Sequence, residues 1–273
     1  MTSPAERFLI DFHARHAGAT AIALGPLPVT CDGDAFASSY ELLATQVPAT
    51  ATALLDVACG DGYLLALLAA HRPGLQLTGV DMSTEELAAA ASRLQGRANL
   101  HRCRAQELPF DDGSFDIVVS HMALMLMDDS PGVLAEIRRV LGKRGMLAAM
   151  IGSAFPASAA LDLYRDLLKP HLAASTDVVT LGDKRWRTPD GIEAMLADAG
   201  FRDIALSKAE GELKLAPAAL WDWLMLMYDA HFVDEAARAV LRVQYLRAVD
   251  AIAEPDGSVP LPVAWRLATA VAN

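Results

Sequence analysis

The amino-acid sequence predicts an α/β fold in which a mostly parallel sheet carries helices on both faces. Two observations predict this class. Apolar, strand-like segments alternate with helix-forming segments from about residue 52 to residue 152. Within that region the stretch LLDVACGDGYLLALLA, residues 54–69, runs from an apolar strand through a glycine loop into a helix rich in leucine and alanine. Strand, glycine loop and helix in that order are typical of a crossover unit that binds a nucleotide.

Residues 1–48 precede the alternating region and are predicted to form an N-terminal helical cap on it. Apolar positions recur at helical spacing in residues 5–16 and 37–47. Between them, residues 25–34 are rich in glycine, proline and aspartate, which favours a loop. Residues 49–273 are assigned to the core and its insertions.

The core is predicted to contain parallel strands joined by helices. The expected strands are residues 53–58, 77–80, 99–103, 116–120 and 146–151, and the expected helices are residues 64–70, 85–94 and 132–141. Ser83 and Glu86 have the S-x-x-E spacing of a capping box, which marks the start of the second core helix.

The region after residue 151 has a different pattern. Helices are expected at residues 157–168, 188–200, 216–230 and 234–253, and strands at residues 202–207 and 262–271. A helical lid insertion is predicted at about residues 211–258, and this C-terminal region contains all four tryptophans. Its aromatic and methionine side chains either pack in a core or line an apolar acceptor pocket. The candidates for substrate binding are Trp221, Met227, Tyr228 and His231.

Composition and charge exclude several classes of protein. A formal net charge of −11 disfavours nucleic acid as a partner, so a neutral or cationic small molecule fits better. The longest apolar stretch, residues 117–127, is far shorter than the roughly 20 residues of a membrane span. No signal peptide is recognisable, and a cytoplasmic location is expected. The three cysteines show no CxxC spacing, so neither a disulfide framework nor a metal site is expected. We expect a monomer or homodimer.

The glycine loop and the acids around it favour a cationic ligand over a dinucleotide. Small residues at positions 58, 60 and 62 let a ligand approach the backbone closely. A dinucleotide site would have a further glycine where Leu65 stands, and Asp56 and Asp61 would repel a pyrophosphate. S-adenosylmethionine has no phosphate and carries an ammonium and a sulfonium group. Asp81 follows the loop by about twenty residues, where a carboxylate can accept hydrogen bonds from both ribose hydroxyls.

Four stretches occur in order across about residues 53–152: LLDVACGDG, LTGVDMS, AQELPFDDGSFDIVVSHMALMLMDD and VLGKRGMLAAMIG. Together they resemble the class I S-adenosylmethionine-dependent methyltransferases, particularly the ubiquinone/menaquinone-methyltransferase-like group. The resemblance implies a Rossmann-like, seven-stranded, mostly parallel sheet with helical lid elements. It also implies S-adenosylmethionine as the methyl donor, S-adenosylhomocysteine as the product, and no metal.

The resemblance assigns roles to individual residues. Those expected to contact the donor are Asp56, Ala58, Gly60 and Gly62 at the methionine part, Asp81 at the ribose, Met82, Ala105 and Gln106 at the adenine, Ser120 near the methionine part, and Tyr40 over the carboxylate. Two positions depart from the family pattern. Ala58 replaces a common glycine, and Arg104 stands where many relatives have an acid that accepts from the adenine amino group.

The predicted reaction is methyl transfer to a small, largely apolar or aromatic metabolite, with O-methylation preferred over N- or C-methylation. His121 is the candidate general base at the end of the fourth core strand, although it could instead only shape the pocket. Three alternatives remain open: a quinone-type C-methyltransferase, a non-catalytic regulator that binds the donor, and an NAD-linked oxidoreductase.

Overall fold

The computed structural model describes residues 2–153 and 156–273, so residues 1, 154 and 155 of the predicted domains lie outside the described residues. The strands are β1 (Val29–Cys31), β2 (Asp34–Phe36), β3 (Ala53–Val57), β4 (Gln76–Asp81), β5 (Asn99–Arg102), β6 (Phe115–His121), β7 (Leu141–Gly152), β8 (Phe201–Leu215) and β9 (Val259–Ala272). The α-helices are α1 (Pro4–Arg15), α2 (Ala19–Leu24), α3 (Ser39–Thr45), α4 (Tyr63–His71), α5 (Thr84–Leu94), α6 (Ser130–Val140), α7 (Ala159–Ala174), α8 (Pro189–Asp198), α9 (Pro217–Leu224) and α10 (Glu235–Asp250). Single 3-10 turns lie at Leu124–Leu126, Lys184–Arg187 and Tyr228–Phe232.

The strands form a nine-stranded sheet in the order β2-β1-β8-β9-β7-β6-β3-β4-β5. Its centre is parallel, because β3 pairs in parallel with β4 and β6, β4 with β5, and β6 with β7. β9 joins β7 antiparallel. The predicted α/β class with a mostly parallel sheet is therefore confirmed, and the predicted seven strands are extended by β1 and β2.

The extension is a β-hairpin in residues 29–36, within the segment predicted mainly as a loop. That prediction was wrong because the Asp32-Gly33 pair forms a two-residue turn, with both residues at positive φ, 50° and 92°. Val29 and Cys31 flank the exposed Thr30 and are buried, which is the alternation of a half-buried strand. Asp-Gly between such segments is a hairpin signal that the composition of the loop concealed.

The order of the central strands reverses between β3 and β6. The chain runs outward from β3 through β4 to β5, then returns to the other side of β3 for β6 and β7. Ligands of open parallel sheets bind at such a reversal, outside the carboxyl ends of the strands. The sheet beneath it is tightly packed, since Leu54, Leu55, Val118 and Val119 are fully buried.

The C-terminal elements differ in length from those predicted. α7 begins at Ala159 and continues past Pro170 to Ala174, and β8 extends to Leu215. The helix predicted over residues 216–230 ends at Leu224. The helix predicted over residues 157–168 thus extends six residues further, and it contains Pro170 within its last five residues although an interior proline removes a backbone hydrogen bond.

The described residues divide into two compact units. The first unit contains residues 2–153, 181–209 and 265–273, and the second contains residues 156–180 and 210–264. The N-terminal cap belongs to the first unit and the predicted lid segment to the second; their action as cap and lid stays a prediction. Across the described ranges, the helices are too short or too polar to cross a membrane.

Candidate functional site

The candidate site lies in the first unit, at the carboxyl ends of β3, β4 and β6. Asp56 of β3 is in register with Gly79 of β4 and with Val119 of β6. Residues in register share a face, and side chains two residues apart along a strand share it too. The side chains of Asp56, Asp81 and His121 therefore project from the same face of the sheet, next to the reversal of strand order.

The glycine loop continues directly from β3. Ala58, Gly60 and Gly62 all have positive φ, at 59°, 53° and 73°. A side chain with a Cβ atom costs about 1 kcal/mol or more in this conformation, so Ala58 is held against its backbone preference. The loop is tied to β4, because the N–H of Cys59 donates to the carbonyl of Val80 at 2.9 Å. A Cβ atom at Gly79 would lie only 2.8 Å from Cys59 Sγ, so the close packing of loop on strand requires glycine there.

Asp81 is oriented by two backbone donors. Its Oδ2 accepts the N–H of Gly60 at 3.0 Å, and its Oδ1 accepts the N–H of Ser83 at 2.9 Å. Burial raises the pKa of this carboxyl, although the two hydrogen bonds oppose the shift. The cap of α5 is Ser83, whose Oγ accepts the N–H of Glu86 at 3.3 Å. Each Asp81 oxygen therefore keeps a lone pair for a ligand beside the glycine loop.

The predicted capping box at Ser83 and Glu86 contains only one of its two hydrogen bonds, the one from the Glu86 N–H to Ser83 Oγ. Because the N–H of Ser83 donates to Asp81, the Glu86 carboxylate turns elsewhere: it lies 2.6 Å from Nδ1 of His13 and accepts the N–H of Gly18. Glu86 is nearly fully buried. It thus connects α1 and the residue that precedes α2 to α5.

Asp56 is buried and carries an unpaired oxygen. Its Oδ1 has no hydrogen-bond partner among the described residues. Burial, followed by the negative charge of Asp81, raises the pKa of Asp56 to about 8. The carboxyl is therefore mostly protonated at neutral pH, and a cation placed against it would stabilise the ionised form.

Asp61 has a different environment from Asp56. Its Oδ1 accepts the N–H of Tyr63 at 3.2 Å and its Oδ2 pairs with the guanidinium of Arg93. The charge of Asp61 is thus balanced within the protein. The sequence argument against a pyrophosphate, which used the negative charges of Asp56 and Asp61, is therefore weakened: Asp61 is paired with Arg93, and Asp56 is mostly protonated at neutral pH.

His121 contacts two consecutive residues of α3, Ser39 and Tyr40. Its Nε2 lies 2.9 Å from Ser39 Oγ, and its ring stacks on Tyr40 with centroids 3.7 Å apart and planes 18° apart. Its Nδ1 is buried and has no hydrogen-bond partner within the described ranges. Burial lowers the pKa of His121 to about 3, so the ring is neutral at physiological pH.

Ser120 and Tyr40 are brought next to the same strand ends. The Ser120 hydroxyl donates to the carbonyl of Val57 at 2.9 Å and so ties β6 to β3 across the reversal. Tyr40 is buried, with its ring tilted 4.7 Å from that of Tyr63. Burial raises the pKa of the Tyr40 phenol, and the charges of Asp61 and Asp56 raise it further.

The predicted adenine side follows β4 and β5. Met82, Ala105 and Gln106 are all half-buried there. Arg104 pairs with Glu6 of α1, since its Nη2 and Nε donate to Glu6 Oε1 at 2.6 and 3.0 Å. Sequence reasoning missed Glu6, whose local signal is the capping box that it forms with Ser3 at the start of α1. The carboxylate beside this position is therefore that of Glu6 in α1, whereas many relatives have an acid at position 104 itself.

The four substrate-binding candidates lie in the second unit. Trp221 is buried with its ring centroid 6.4 Å from that of Tyr164 and 5.7 Å from that of Tyr245, so it packs in an aromatic cluster. Met227 and Tyr228 are half-buried. His231 is half-buried, and its Nε2 lies 2.8 Å from the carbonyl oxygen of Met225, to which it must donate. That nitrogen is therefore not available as a base.

Within residues 2–153 and 156–273, no group of three or more histidine, cysteine, aspartate or glutamate side chains could hold a metal ion. The three cysteines are free thiols, of which Cys31 and Cys59 are buried.

Comparison with known proteins gives consistent results. Residues 55–149 match the family model described as a methyltransferase domain. Over 93 residues the chain is 39% identical to the ubiquinone/menaquinone biosynthesis C-methyltransferase UbiE of Desulfotalea psychrophila, covering 34% of this chain and 38% of the relative. Over 142 residues it is 32% identical to the O-methyltransferase cnsE of Penicillium expansum, covering 49% and 51%. The chain thus spans about half, or less, of the length of these relatives.

Solved structures show the same fold. A phosphoethanolamine N-methyltransferase 2 of Haemonchus contortus, in complex with phosphomonomethylethanolamine and S-adenosylhomocysteine, superposes with a TM-score of 0.58 at 20% identity. The alignment covers 99% of this chain and 60% of that one. At this identity the likeness supports the fold alone.

Proposed function

We propose that the protein transfers a methyl group from S-adenosylmethionine to a small, largely apolar or aromatic metabolite, because residues 55–149 match the methyltransferase-domain family model and resemble UbiE. One observation carries the proposal. Asp56 and Asp81 share one face at the reversal of strand order, beside a glycine loop. The bound donor supplies an activated methyl group on a sulfonium.

The residues of the site fit this donor. Oδ1 of Asp56 has no partner within the described ranges and would accept from the ammonium group, and the two oriented oxygens of Asp81 would accept from the ribose hydroxyls. A phosphate at close range would oppose ionisation of both carboxyl groups, whereas an ammonium group would favour it. Ala58, Gly60 and Gly62 would let the methionine part approach the backbone, and Met82, Ala105 and Gln106 would bound the adenine.

Methionine side chains at the end of the sheet support the proposal of an apolar acceptor. Met122, the residue after β6, has a positive φ of 58°, and its N–H donates to Met150 of β7 at 2.8 Å. A Cβ atom at Gly152 would lie 3.3 Å from Met122 Cε and 3.4 Å from Met125 Cε. Flexible thioether side chains adapt to apolar and aromatic ligands. Trp221, Met227, Tyr228 and His231 remain further candidates for acceptor contact.

The reaction that we propose is O-methylation of an acceptor whose oxygen ionises without a strong base on the protein. His121 has a pKa near 3, so it would hold a proton taken from an ordinary phenol only weakly at neutral pH. Alignment of the acceptor and exclusion of water then supply the rate enhancement. A hydroxyl that is more acidic than that of an ordinary phenol fits this requirement, because it loses its proton to water before the methyl group is transferred.

Donor turnover tests the proposal. The protein is incubated with S-adenosylmethionine carrying a tritium-labelled methyl group and with panels of phenols, carboxylic acids, amines and quinols. Label should enter an organic product of a hydroxyl compound that is more acidic than an ordinary phenol, and Asp81→Asn should reduce this transfer. If the protein binds S-adenosylhomocysteine but transfers label to no panel, catalysis is overturned in favour of a regulator that binds the donor.

Quinone-type C-methylation is the second candidate, favoured by the 39% identity to UbiE in the matched region. Label on carbon in the quinol panel, stable to mild ester and ether cleavage, would select it. An NAD-linked oxidoreductase is the remaining alternative, and it predicts binding of NADH.

We also propose that the protein acts on small molecules rather than on nucleic acid and that it needs no metal. We propose further that it is a cytoplasmic monomer or homodimer.

A further inference from the structure

Two polar atoms of the first unit are buried without a hydrogen-bond partner in the part of the chain that the structure describes. They are Oδ1 of Asp56 and Nδ1 of His121. Buried polar atoms in native proteins are nearly always paired, so each unpaired atom requires an explanation. Both side chains project from the same face of neighbouring strands, at the reversal of strand order. A ligand bound at this reversal would supply the missing partners.

The other contacts of His121 determine whether Nδ1 donates or accepts a hydrogen bond. A neutral imidazole has one nitrogen that donates and one that accepts. Its pKa near 3 keeps His121 neutral at physiological pH. Nε2 lies 2.9 Å from Ser39 Oγ, and the ring cannot turn away because it stacks on Tyr40. If Nε2 carries the proton and donates it to Ser39, Nδ1 presents a lone pair, as Oδ1 of ionised Asp56 does.

We propose that Ser39 is a positioning residue whose hydroxyl accepts the Nε2–H of His121 and thereby presents the Nδ1 lone pair, beside Asp56, to the α-ammonium group of the bound donor. The inference rests on the proposed function, because that function supplies the donor. An ammonium group has three N–H donors, so it can satisfy both acceptors at once. His121 is then a donor-binding residue, not a general base.

Two substitutions of His121 distinguish the roles of its two ring nitrogens. In His121→Asn the side-chain amide reaches the position of Nδ1, and in His121→Gln it reaches the position of Nε2. The asparagine can still offer an oxygen to the ammonium group, whereas the glutamine cannot. Ser38 and Ser39 form a second matched pair. Both are buried, but Ser38 Oγ accepts the N–H of Glu41 as the cap of α3, whereas Ser39 Oγ lies 2.9 Å from His121 Nε2.

Calorimetric titration with two ligands isolates the ammonium contact. S-adenosylhomocysteine contains the amino-acid end of the donor, whereas methylthioadenosine lacks it. His121→Gln should weaken binding of S-adenosylhomocysteine about 10- to 100-fold, as expected for one hydrogen bond to a charged group. Ser39→Ala should weaken it about three- to tenfold, because the ring keeps its stacking but loses its fixed tautomer. Methylthioadenosine affinity should change less than about twofold in both variants.

The controls should behave differently. His121→Asn should bind S-adenosylhomocysteine within about fivefold of wild type, and Ser38→Ala should lower only the unfolding temperature. Nitrogen NMR of the ring gives a readout that does not depend on binding. Wild-type His121 should have a protonated Nε2 and an unprotonated Nδ1 between pH 5 and pH 8, and Ser39→Ala should show a mixture of tautomers.

Three results would overturn the inference: equal losses for both ligands, an unchanged S-adenosylhomocysteine affinity in His121→Gln and Ser39→Ala, or a protonated Nδ1 in the wild type. In each case wild-type binding of S-adenosylhomocysteine, weakened in Asp81→Asn, would leave the proposed function standing. If the wild type binds neither ligand, the proposed function itself fails.

Discussion

Binding of S-adenosylhomocysteine should tighten as the pH rises towards 8, because Asp56 must lose a proton to pair with the ammonium group of the ligand. Burial and the charge of Asp81 raise the pKa of this carboxyl from 3.8 to about 8. Below that pKa the ionised fraction falls about tenfold for each pH unit. The dissociation constant should therefore decrease about 20-fold between pH 6 and pH 7.5.

Isothermal titration calorimetry in two buffers with different ionisation enthalpies measures both the affinity and the proton release. The wild type should release about one proton for each ligand bound at pH 6.5. Asp61 and Asp81 also have raised pKa values, so Asp56→Asn is the control that isolates this residue. The variant should bind more weakly at pH 7.5 and depend less on pH. A constant wild-type affinity between pH 6 and pH 7.5, without proton release, would refute the reasoning.

Three further predictions concern stability. Because the folded pKa of Asp56 lies above its ordinary value, the folded state retains a proton that the unfolded chain loses, and the wild-type free energy of unfolding should fall as the pH rises from 4 to 8. Urea unfolding of Asp56→Asn should show a smaller fall, and parallel pH profiles for the two proteins would contradict the assignment. Ala58→Gly should raise the free energy of unfolding by up to about 1 kcal/mol, since Ala58 has a φ of 59°; a loss of stability would show that the methyl group has a packing role. Trp221→Ala should cost about 3 kcal/mol or more, because the indole is buried against Tyr164 and Tyr245. Val243→Ala, at a residue that is 51% exposed, is its control, and equal small losses for the two variants would favour a role for Trp221 in acceptor binding.

The parallel core could be predicted because its signals are local. Alternating apolar strands and helices, the glycine loop and Ser83 as a cap each lie within a few residues of the element that they specify. The β1–β2 hairpin carried a local signal too, the Asp32-Gly33 pair, which the loop composition outweighed.

The contacts that refine the candidate site have no such signal. Ser39 lies 82 residues from His121, and Glu6 lies 98 residues from Arg104. A single sequence contains nothing that pairs residues so far apart. The same limit applies to protonation: burial raises the pKa of both Asp56 and Asp61, but the Arg93 guanidinium opposes the shift only at Asp61, and Arg93 lies 32 residues away from it.

Calorimetric titration of the wild type and of Asp81→Asn with S-adenosylhomocysteine at pH 7.5 tests the donor site most directly. The wild type should show one saturable site, and the variant should bind at least about 10-fold more weakly, because its neutral amide offers one acceptor oxygen in place of the two oxygens of the carboxylate. NADH should give no saturable heat. Saturable binding of NADH, or equal affinity of both proteins for S-adenosylhomocysteine, would contradict the account.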